Sequence, residues 1–198
     1  GKNVKQLVYR AMQLATSEPA GPVYLTGARE VLEENVESLP NTWEKWSLIE
    51  KTTLPQAGFE ELAHALIEAE NPLVITTYLG RKTEAVQELI EFCEKLAIPV
   101  VEQIPTYVNF PRDHPLHAGY DPNPFIQQAD VIVAIDTDVP WITTQVQPKD
   151  DCNVYFIDLD PIKEDIPLWH IPAVKSYRAD AYETLRQLNA LLAQKELN

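Results

Sequence analysis

From residue 58 onward, short apolar runs alternate with amphipathic stretches, and this alternation restricts the possible fold more than any other feature. Apolar residues at helical spacing fill the intervals, for example in 59–67 and 86–97. Strands separated by helices in this way are typical of βαβ units on a parallel sheet. We therefore predict an α/β fold, a Rossmann-like, doubly wound, mainly parallel sheet of about five or six strands with helices on both faces. The predicted strands are residues 73–77, 98–102, 130–136, 154–158 and 173–176.

Capping residues indicate where two of the predicted helices begin. Thr83 is placed as the N-cap of the helix that carries the 86–97 stripe. Asp180 is placed as the N-cap of the last helix, and Glu183, three residues later, completes a capping box. A further short helix is predicted over residues 125–129.

The N-terminal quarter of the chain follows a different pattern. Apolar residues recur at helical spacing from Val4 to Ala15, and residues 23–26 resemble a strand. We interpret residues 1–22 as a helical tail of a preceding N-terminal domain. A mitochondrial transit peptide is the alternative, because the helix is both basic and amphipathic.

An acidic stretch follows this helix. Residues 27–70 hold ten Asp or Glu against three Lys or Arg. We interpret residues 23–57 as an acidic connector with a short helix near 29–37, in which Trp43 and Trp46 pin the chain to a surface. An acidic partner-binding tail is the alternative. The central α/β domain is then predicted over residues 58–198.

Charge and cysteine content exclude several classes of partner. The formal net charge is −14 and the pI is about 4.6, which disfavours nucleic-acid binding and docking on an anionic membrane. No apolar run reaches the roughly 18 residues of a membrane helix. Two cysteines cannot form a disulfide framework, so we expect a reducing, cytoplasmic location, with a mitochondrial one still open.

Polar residues follow the predicted strands, where ligands bind in open α/β sheets. A loop before a helix favours an anion, and an acid at a later strand end could accept hydrogen bonds from a ribose. The glycine-rich dinucleotide fingerprint is absent, and one glycine is a poor phosphate cradle. A vestigial nucleotide site and a solvated rim of polar loops both remain open. The candidate residues are Thr77, Gly80, Arg81, Thr83, Asp136, Asp158 and Asp160.

Other catalytic patterns are lacking, and we predict no catalytic residue and no metal site. Neither a nucleophile elbow nor a P-loop occurs. Cys93 lies on an apolar helical stripe and is expected in the core. His114 and His117 have the wrong spacing for a helical metal site, so loop contacts are expected for both.

Five ordered segments resemble a known family. They resemble the central domain of thiamine diphosphate-dependent enzymes of the acetolactate synthase and 2-oxoacid decarboxylase family. The order of the set carries the resemblance, which extends from the first helix to the last. The segments are residues 21–31, 71–75 with 83–100, 113–119, 129–135 and 157–161.

The resemblance implies a role for this chain within a larger enzyme. In the family, an N-terminal domain supplies the glutamate that activates the cofactor, and a C-terminal domain binds diphosphate and Mg²⁺ through a G-D-G…N motif. This sequence contains no Gly-Asp pair. The resemblance therefore implies a non-catalytic central domain, with thiamine diphosphate and Mg²⁺ held by the parent's other domains. Those N- and C-terminal domains are the implied partners, together with further copies in a homo-oligomer.

Some family members hold FAD or an adenine nucleotide in the central domain, and here the match is uneven. Thr76 to Leu79 replace the glycine cluster that follows the first strand in flavin-binding members. Asp136 and Asp138 stand where a G-x-R is expected, and acids there would repel a diphosphate. Asp158 and Asp160 match the late acidic pair near the adenosine. A nucleotide- or flavin-binding regulatory module is the alternative function, FAD being disfavoured, and a free-standing interaction domain is the third.

Overall fold

The structure, a computed structural model, describes residues 2–37 and 40–196. The chain divides into two compact units, Gly1–Lys51 and Thr52–Asn198. This division places the first helix and most of the acidic stretch in one unit, and it places the last residues of the predicted connector in the α/β unit. The boundaries 1–22, 23–57 and 58–198 stay predictions.

The first unit contains helix α1 (Val4–Thr16), helix α2 (Arg29–Leu32) and a 3₁₀ turn at Trp43–Lys45. The rings of Trp43 and Trp46 lie 5.7 and 6.0 Å from that of Tyr9 on α1, so the tryptophans pin the acidic stretch to this helix. Helix α2 is shorter than predicted. No strand forms within 2–37 or 40–51, so the strand prediction for 23–26 is wrong.

The second unit is an α/β domain with a five-stranded, wholly parallel sheet in the order β2-β1-β3-β4-β5. The fold prediction is confirmed, and the strands lie within about two residues of their predicted positions. In chain order the elements are α3 (Gln56–Glu68), β1 (Pro72–Thr76), a 3₁₀ turn (Leu79–Arg81), α4 (Thr83–Leu96), β2 (Val100–Glu102), α5 (Asn123–Ile126), β3 (Val131–Ile135), β4 (Asn153–Asp158), β5 (Lys175–Arg178) and α6 (Ala181–Glu196).

The two faces of the sheet are covered differently. Because side chains alternate along a strand, Val133 and Ile157 pack with α3, α4 and α6, while Ile132 and Phe156 pack on the opposite face. Among the described residues of this unit, the opposite face carries the short helix α5 and irregular loops, in which Trp141 is buried. Helices lie on both faces as predicted, but loops provide much of the second layer.

Of the two predicted helix caps, one is confirmed and the other is wrong. The Asp180 carboxylate accepts a hydrogen bond from the Glu183 N–H at 2.9 Å, so this N-cap is confirmed. In place of the reciprocal half of the capping box, the described contacts show the Asp180 N–H donating to the Thr52 carbonyl and the Glu183 side chain pairing with Arg186. The N-cap prediction for Thr83 is wrong. Thr83 is the first helical residue and its hydroxyl donates to Glu84, because the extended Lys82 already occupies the N-cap position of α4.

Candidate functional site

The loops that follow β1 and β3 meet at the carboxyl edge of the sheet. In this strand order the connections leave in opposite directions between β1 and β3, which creates the crevice where ligands bind in open α/β folds. The N–H groups of Thr77 and Tyr78 both donate to the Asp136 carbonyl at 3.0 Å. The hydroxyls of Thr77 and Thr137 lie 2.8 Å apart. The crevice is therefore bridged by hydrogen bonds within the protein.

Lys163 lies at the centre of this edge. Its Nζ is 2.9 Å from Asp158 Oδ2 and 3.0 Å from Asp138 Oδ1, and it donates to the Tyr78 hydroxyl at 2.8 Å. The Lys163 side chain is only 4% exposed. We call Tyr78, Asp138, Asp158 and Lys163 the Lys163 cluster. It joins the loops after β1, β3 and β4, and all three ammonium protons have partners.

Both oxygens of the Asp158 carboxylate accept hydrogen bonds from groups inside the protein. Its Oδ2 accepts from the Tyr78 hydroxyl at 2.5 Å as well as from Lys163, and its Oδ1 accepts from the Asp160 N–H at 2.8 Å. Burial and the neighbouring Asp158 carboxylate raise the pKa of Tyr78 far above its usual value. Tyr78 is therefore a hydrogen-bond donor in this cluster and not an activated base.

Asp136 lies beside the Lys163 cluster and has an unusual backbone conformation and a buried side chain. Its backbone has a positive φ of 47°, and its side chain is 3% exposed. Burial raises the pKa of Asp136 to about 7; Arg81, whose Nη2 is 3.4 Å from the carboxylate, opposes the rise, and Asp158 adds to it. The carboxyl group consequently exchanges its proton near neutral pH.

The remaining candidate residues have other contacts. Gly80 is buried and its N–H donates to the Asn109 side chain at 2.9 Å. A Cβ on Gly80 would lie 2.1 Å from the Val108 carbonyl, so glycine is needed here for close backbone packing. Asp160 accepts from the Glu164 N–H at 2.9 Å, and Thr83 is exposed at the start of α4. A nucleotide-binding role for these residues stays a prediction.

A second buried polar group lies at the end of β2. Glu102 Oε1 accepts from the N–H groups of Asn109 and Phe110, and its Oε2 lies 3.1 Å from His117 Nε2. His114 contacts Glu94 at 3.2 Å. Both histidines thus make the predicted loop contacts. Glu102 fastens the loop between β2 and α5, and the only sequence signal for it is an acid at the end of an apolar run.

Neither Lys163 nor Glu102 belongs to the predicted set of site residues. Lys163 follows β4 by five residues, and its partners Tyr78 and Asp138 belong to loops far away in sequence. A lysine next to the Asp158–Asp160 acids is a signal, but it does not distinguish a solvated charge from a buried one. Of the predicted residues, the structure brings Thr77, Arg81, Asp136 and Asp158 together.

Other chemistry is not apparent in the described residues. Within 2–37 and 40–196, no group of three or more His, Cys, Asp or Glu side chains could hold a metal ion. Cys93 is fully buried as predicted, and burial raises the pKa of its thiol. In the same ranges, no helix is both long enough and apolar enough to cross a membrane.

Comparisons of this chain with known proteins agree on one family. The family described as thiamine pyrophosphate enzyme, central domain, matches residues 59–188. The chain is 32% identical over 120 residues to the acetolactate synthase large subunit of Buchnera aphidicola subsp. Schlechtendalia chinensis, covering 55% of this chain and 21% of that protein. It is 25% identical over 201 residues to the corresponding subunit of B. aphidicola subsp. Acyrthosiphon pisum (strain APS), covering 94% and 34%.

A solved structure supports the same fold. Benzoylformate decarboxylase from Polynucleobacter necessarius superposes with a TM-score of 0.75 at 23% identity, covering 96% of this chain and 36% of that one. The chain thus spans between about a fifth and a third of the length of the two relatives. Because the family match covers most of the α/β unit, this chain belongs to the central-domain family of thiamine pyrophosphate enzymes.

Proposed function

We propose that the chain is the non-catalytic, structural central domain of a thiamine diphosphate-dependent 2-oxoacid decarboxylase or carboligase resembling acetolactate synthase. The observation that carries the non-catalytic role is the Lys163 cluster. It occupies the switch-point crevice with side chains that bond one another, and it offers no nucleophile with an adjacent base. The domain's task is then to present a rigid sheet and its loops to the rest of the enzyme.

The parent enzyme supplies the chemistry in this proposal. Its other domains hold thiamine diphosphate and Mg²⁺, since this chain has no Gly-Asp pair and its described residues have no cluster suited to a metal. The boundaries 1–22, 23–57 and 58–198 and a cytoplasmic location belong to the same proposal, with a mitochondrial location as the alternative.

Assembly into a homo-oligomer is also part of the proposal. On α1, the side chains of Leu7 and Met12 are about half exposed, and such apolar faces are usually covered in assemblies. Light scattering of the parent tests this point. A parent that scatters as a monomer contradicts the homo-oligomer.

The residues at the carboxyl edge do not fit a flavin. A dinucleotide diphosphate needs free N–H donors or cations, whereas Lys163 already satisfies Asp138 and Asp158, and Arg81 faces Asp136. Gly80, the one glycine of the first loop, has its N–H bonded to Asn109. We therefore propose that this domain carries no FAD.

An adenine-nucleotide site is the second candidate, and the position of Arg81 favours it. Arg81 stands at the switch point near the start of α4, where a phosphate would be placed. Binding there would require Lys163 to leave Asp158, so that the carboxylate could accept bonds from a ribose. In this candidate the nucleotide has a regulatory role.

Turnover by the parent protein tests the proposed function. The full parent should convert a 2-oxoacid such as pyruvate when thiamine diphosphate and Mg²⁺ are supplied, and residues 1–198 alone should not. A parent without thiamine diphosphate-dependent turnover of any 2-oxoacid contradicts the enzyme class. Turnover by residues 1–198 alone contradicts the non-catalytic role.

A further inference from the structure

An acidic groove lies at the amino edge of the sheet, opposite the edge that holds the Lys163 cluster. It is formed by α3 and the starts of β3 and β4, and its volume is about 590 Å³. This volume falls within the roughly 300–1,000 Å³ of small-molecule sites. We call it the Tyr155 groove. Among the residues that the structure describes, its lining has no lysine or arginine but five carboxylates, those of Glu60, Glu61, Glu68, Asp130 and Asp151.

Apolar surface separates some of these carboxylates. Glu61 and Glu68 are seven residues apart on α3, so they lie on one helix face, about 10 Å apart along the axis. Ala65, between them, and Val131, at the start of β3, also line the groove. The groove therefore offers spaced negative charges with apolar contacts in between.

The chain's own cations neutralise these acids only in part. Lys175 Nζ lies 3.6 Å from Glu61 Oε2, and both side chains are about half exposed. His64 Nε2 lies 3.9 Å from Glu68 Oε1 and carries a charge only when it is protonated. In the described part of the chain, the exposed Asp151 carboxylate has no hydrogen-bond or ion-pair partner. The groove consequently retains a negative potential that attracts cations.

Tyr155 presents a buried, unpartnered polar group to this groove. The residue is 3% exposed, and its hydroxyl makes no hydrogen bond among the described residues. Buried tyrosine hydroxyls usually have a partner. The hydroxyl is accessible from the groove, in contrast to the sealed Nε1 of Trp141. Burial, with smaller effects of Glu61 and Tyr177, raises the pKa of Tyr155, so the phenol stays neutral and its oxygen accepts hydrogen bonds from N–H donors.

We propose that the Tyr155 groove binds an aliphatic polyamine. Its ammonium groups donate to the Tyr155 hydroxyl and to the carboxylates of Glu61 and Asp151, and its methylene groups lie against Ala65 and Val131. Several ammonium groups on a flexible apolar chain satisfy the unpartnered hydroxyl and the spaced acids together. The proposal goes beyond the proposed function and does not depend on it, because it concerns the other edge of the sheet.

Two other cationic occupants are less well matched to the groove. A metal ion needs converging ligands, and within 2–37 and 40–196 no group of three or more His, Cys, Asp or Glu side chains could hold one. Asp130 in addition already accepts from the N–H groups of Glu70 and Asn71, at 2.6 and 3.0 Å. A basic protein segment shares the ammonium chemistry, but a concave site of this volume favours a small ligand.

Calorimetric titration of spermidine into the full-length protein at low ionic strength tests the proposal, and saturable binding is expected. Tyr155→Phe keeps the packed ring and should weaken binding about tenfold, the loss expected for one hydrogen bond to a charged group. Asp151→Asn should weaken it about threefold, as for an exposed ion pair. The matched control, Asp113→Asn, removes an exposed carboxylate that does not line the groove and should leave the dissociation constant unchanged.

The controls distinguish a built site from attraction to an acidic surface. Absence of saturable spermidine binding overturns the proposal, and so does binding that Tyr155→Phe leaves unchanged. Equal weakening by Asp151→Asn and Asp113→Asn would indicate a general charge effect and would also overturn it. Tighter binding of Mg²⁺ or of a lysine-rich peptide, lost in Tyr155→Phe, would identify a different occupant and overturn the polyamine. None of these outcomes bears on thiamine diphosphate-dependent turnover, which is measured separately.

Discussion

At the scale of single residues, Lys163 determines what the carboxyl edge of the sheet can do. A buried ammonium group is costly unless carboxylates and hydrogen bonds compensate it, and here Asp158, Asp138 and Tyr78 do so together. The same arrangement removes Asp158 from the set of groups available to a ligand. One side chain therefore ties three loops of this edge together and engages two carboxylates that a ligand could otherwise use.

Replacing Lys163 should be costly. Lys163→Met leaves the buried Asp158 carboxylate without its counter-ion, and breaking a buried pair in this way lowers the free energy of unfolding by about 3 kcal/mol or more. Lys175→Met is the matched control, because Lys175 is 48% exposed and pairs with Glu61 at 3.6 Å, a contact worth at most about 1 kcal/mol. Urea denaturation measures both variants, and equal losses would contradict the structural role of Lys163.

Asp136 should make stability depend on pH. Burial raises its folded-state pKa from 3.8 to about 7, so the native state binds the proton more tightly than the unfolded state. The contribution of this group is fully present below about pH 4 and is lost as the pH rises to about 7. Asp136→Asn should therefore stabilise the protein more at pH 8 than at pH 5, and asparagine tolerates the positive φ.

Chemical denaturation across this pH range provides the measurement. One pKa unit corresponds to more than 1 kcal/mol, so the difference between the two pH values should be easily resolved. A stability difference between Asp136→Asn and the wild type that does not change with pH would show that the carboxyl group titrates normally.

At the scale of elements, the apolar runs predicted the sheet because parallel strands buried on both faces need little context. The apolar runs could not predict the loops that cover the second face of the sheet. Loops bury Trp141 and Ile171 against Phe156 there, and their conformation depends on contacts distant in sequence. The position of Lys163 was missed for the same reason. Thr83 was misplaced by one residue, because the extended Lys82, which has no capping side chain, is the residue that precedes the first turn of α4.

The two predicted caps offer a direct comparison. Asp180→Ala removes the acceptor for the Glu183 N–H at the start of α6 and should cost about 1 kcal/mol. Thr83→Ala removes an exposed hydroxyl that contacts only Glu84 among the hydrogen bonds observed, so a change within about 0.5 kcal/mol is expected. Thermal unfolding monitored by circular dichroism ranks them, and a larger loss for Thr83→Ala would contradict the assignment.

At the scale of the whole molecule, the chain contains a folded α/β unit and spans about a fifth to a third of the length of the two relatives. The family match assigns it to a central domain, and the carboxyl edge that could hold a ligand is closed by its own side chains. A net charge of −14 adds repulsion toward any polyphosphate. By contrast, exposed apolar side chains such as Leu7 and Leu168 are suited to protein contacts.

Flavin binding should consequently be absent. Purified protein should be colourless, and FAD added before gel filtration should separate from it, because Asp136 and Asp138 stand where a diphosphate would need donors. Near-stoichiometric absorbance at 450 nm that elutes with the protein would contradict this expectation. Thermal stabilisation by ADP, without a flavin signal, would favour the adenine-nucleotide alternative.

Calorimetric titration of thiamine diphosphate with Mg²⁺ into residues 1–198, with the full parent as positive control, tests the central claim most directly. We expect binding by the parent and no binding heat for residues 1–198, because the proposed function assigns the groups that hold the diphosphate and the metal to other domains of the parent. Micromolar binding by residues 1–198 alone would contradict the assignment of this chain as a non-catalytic central domain.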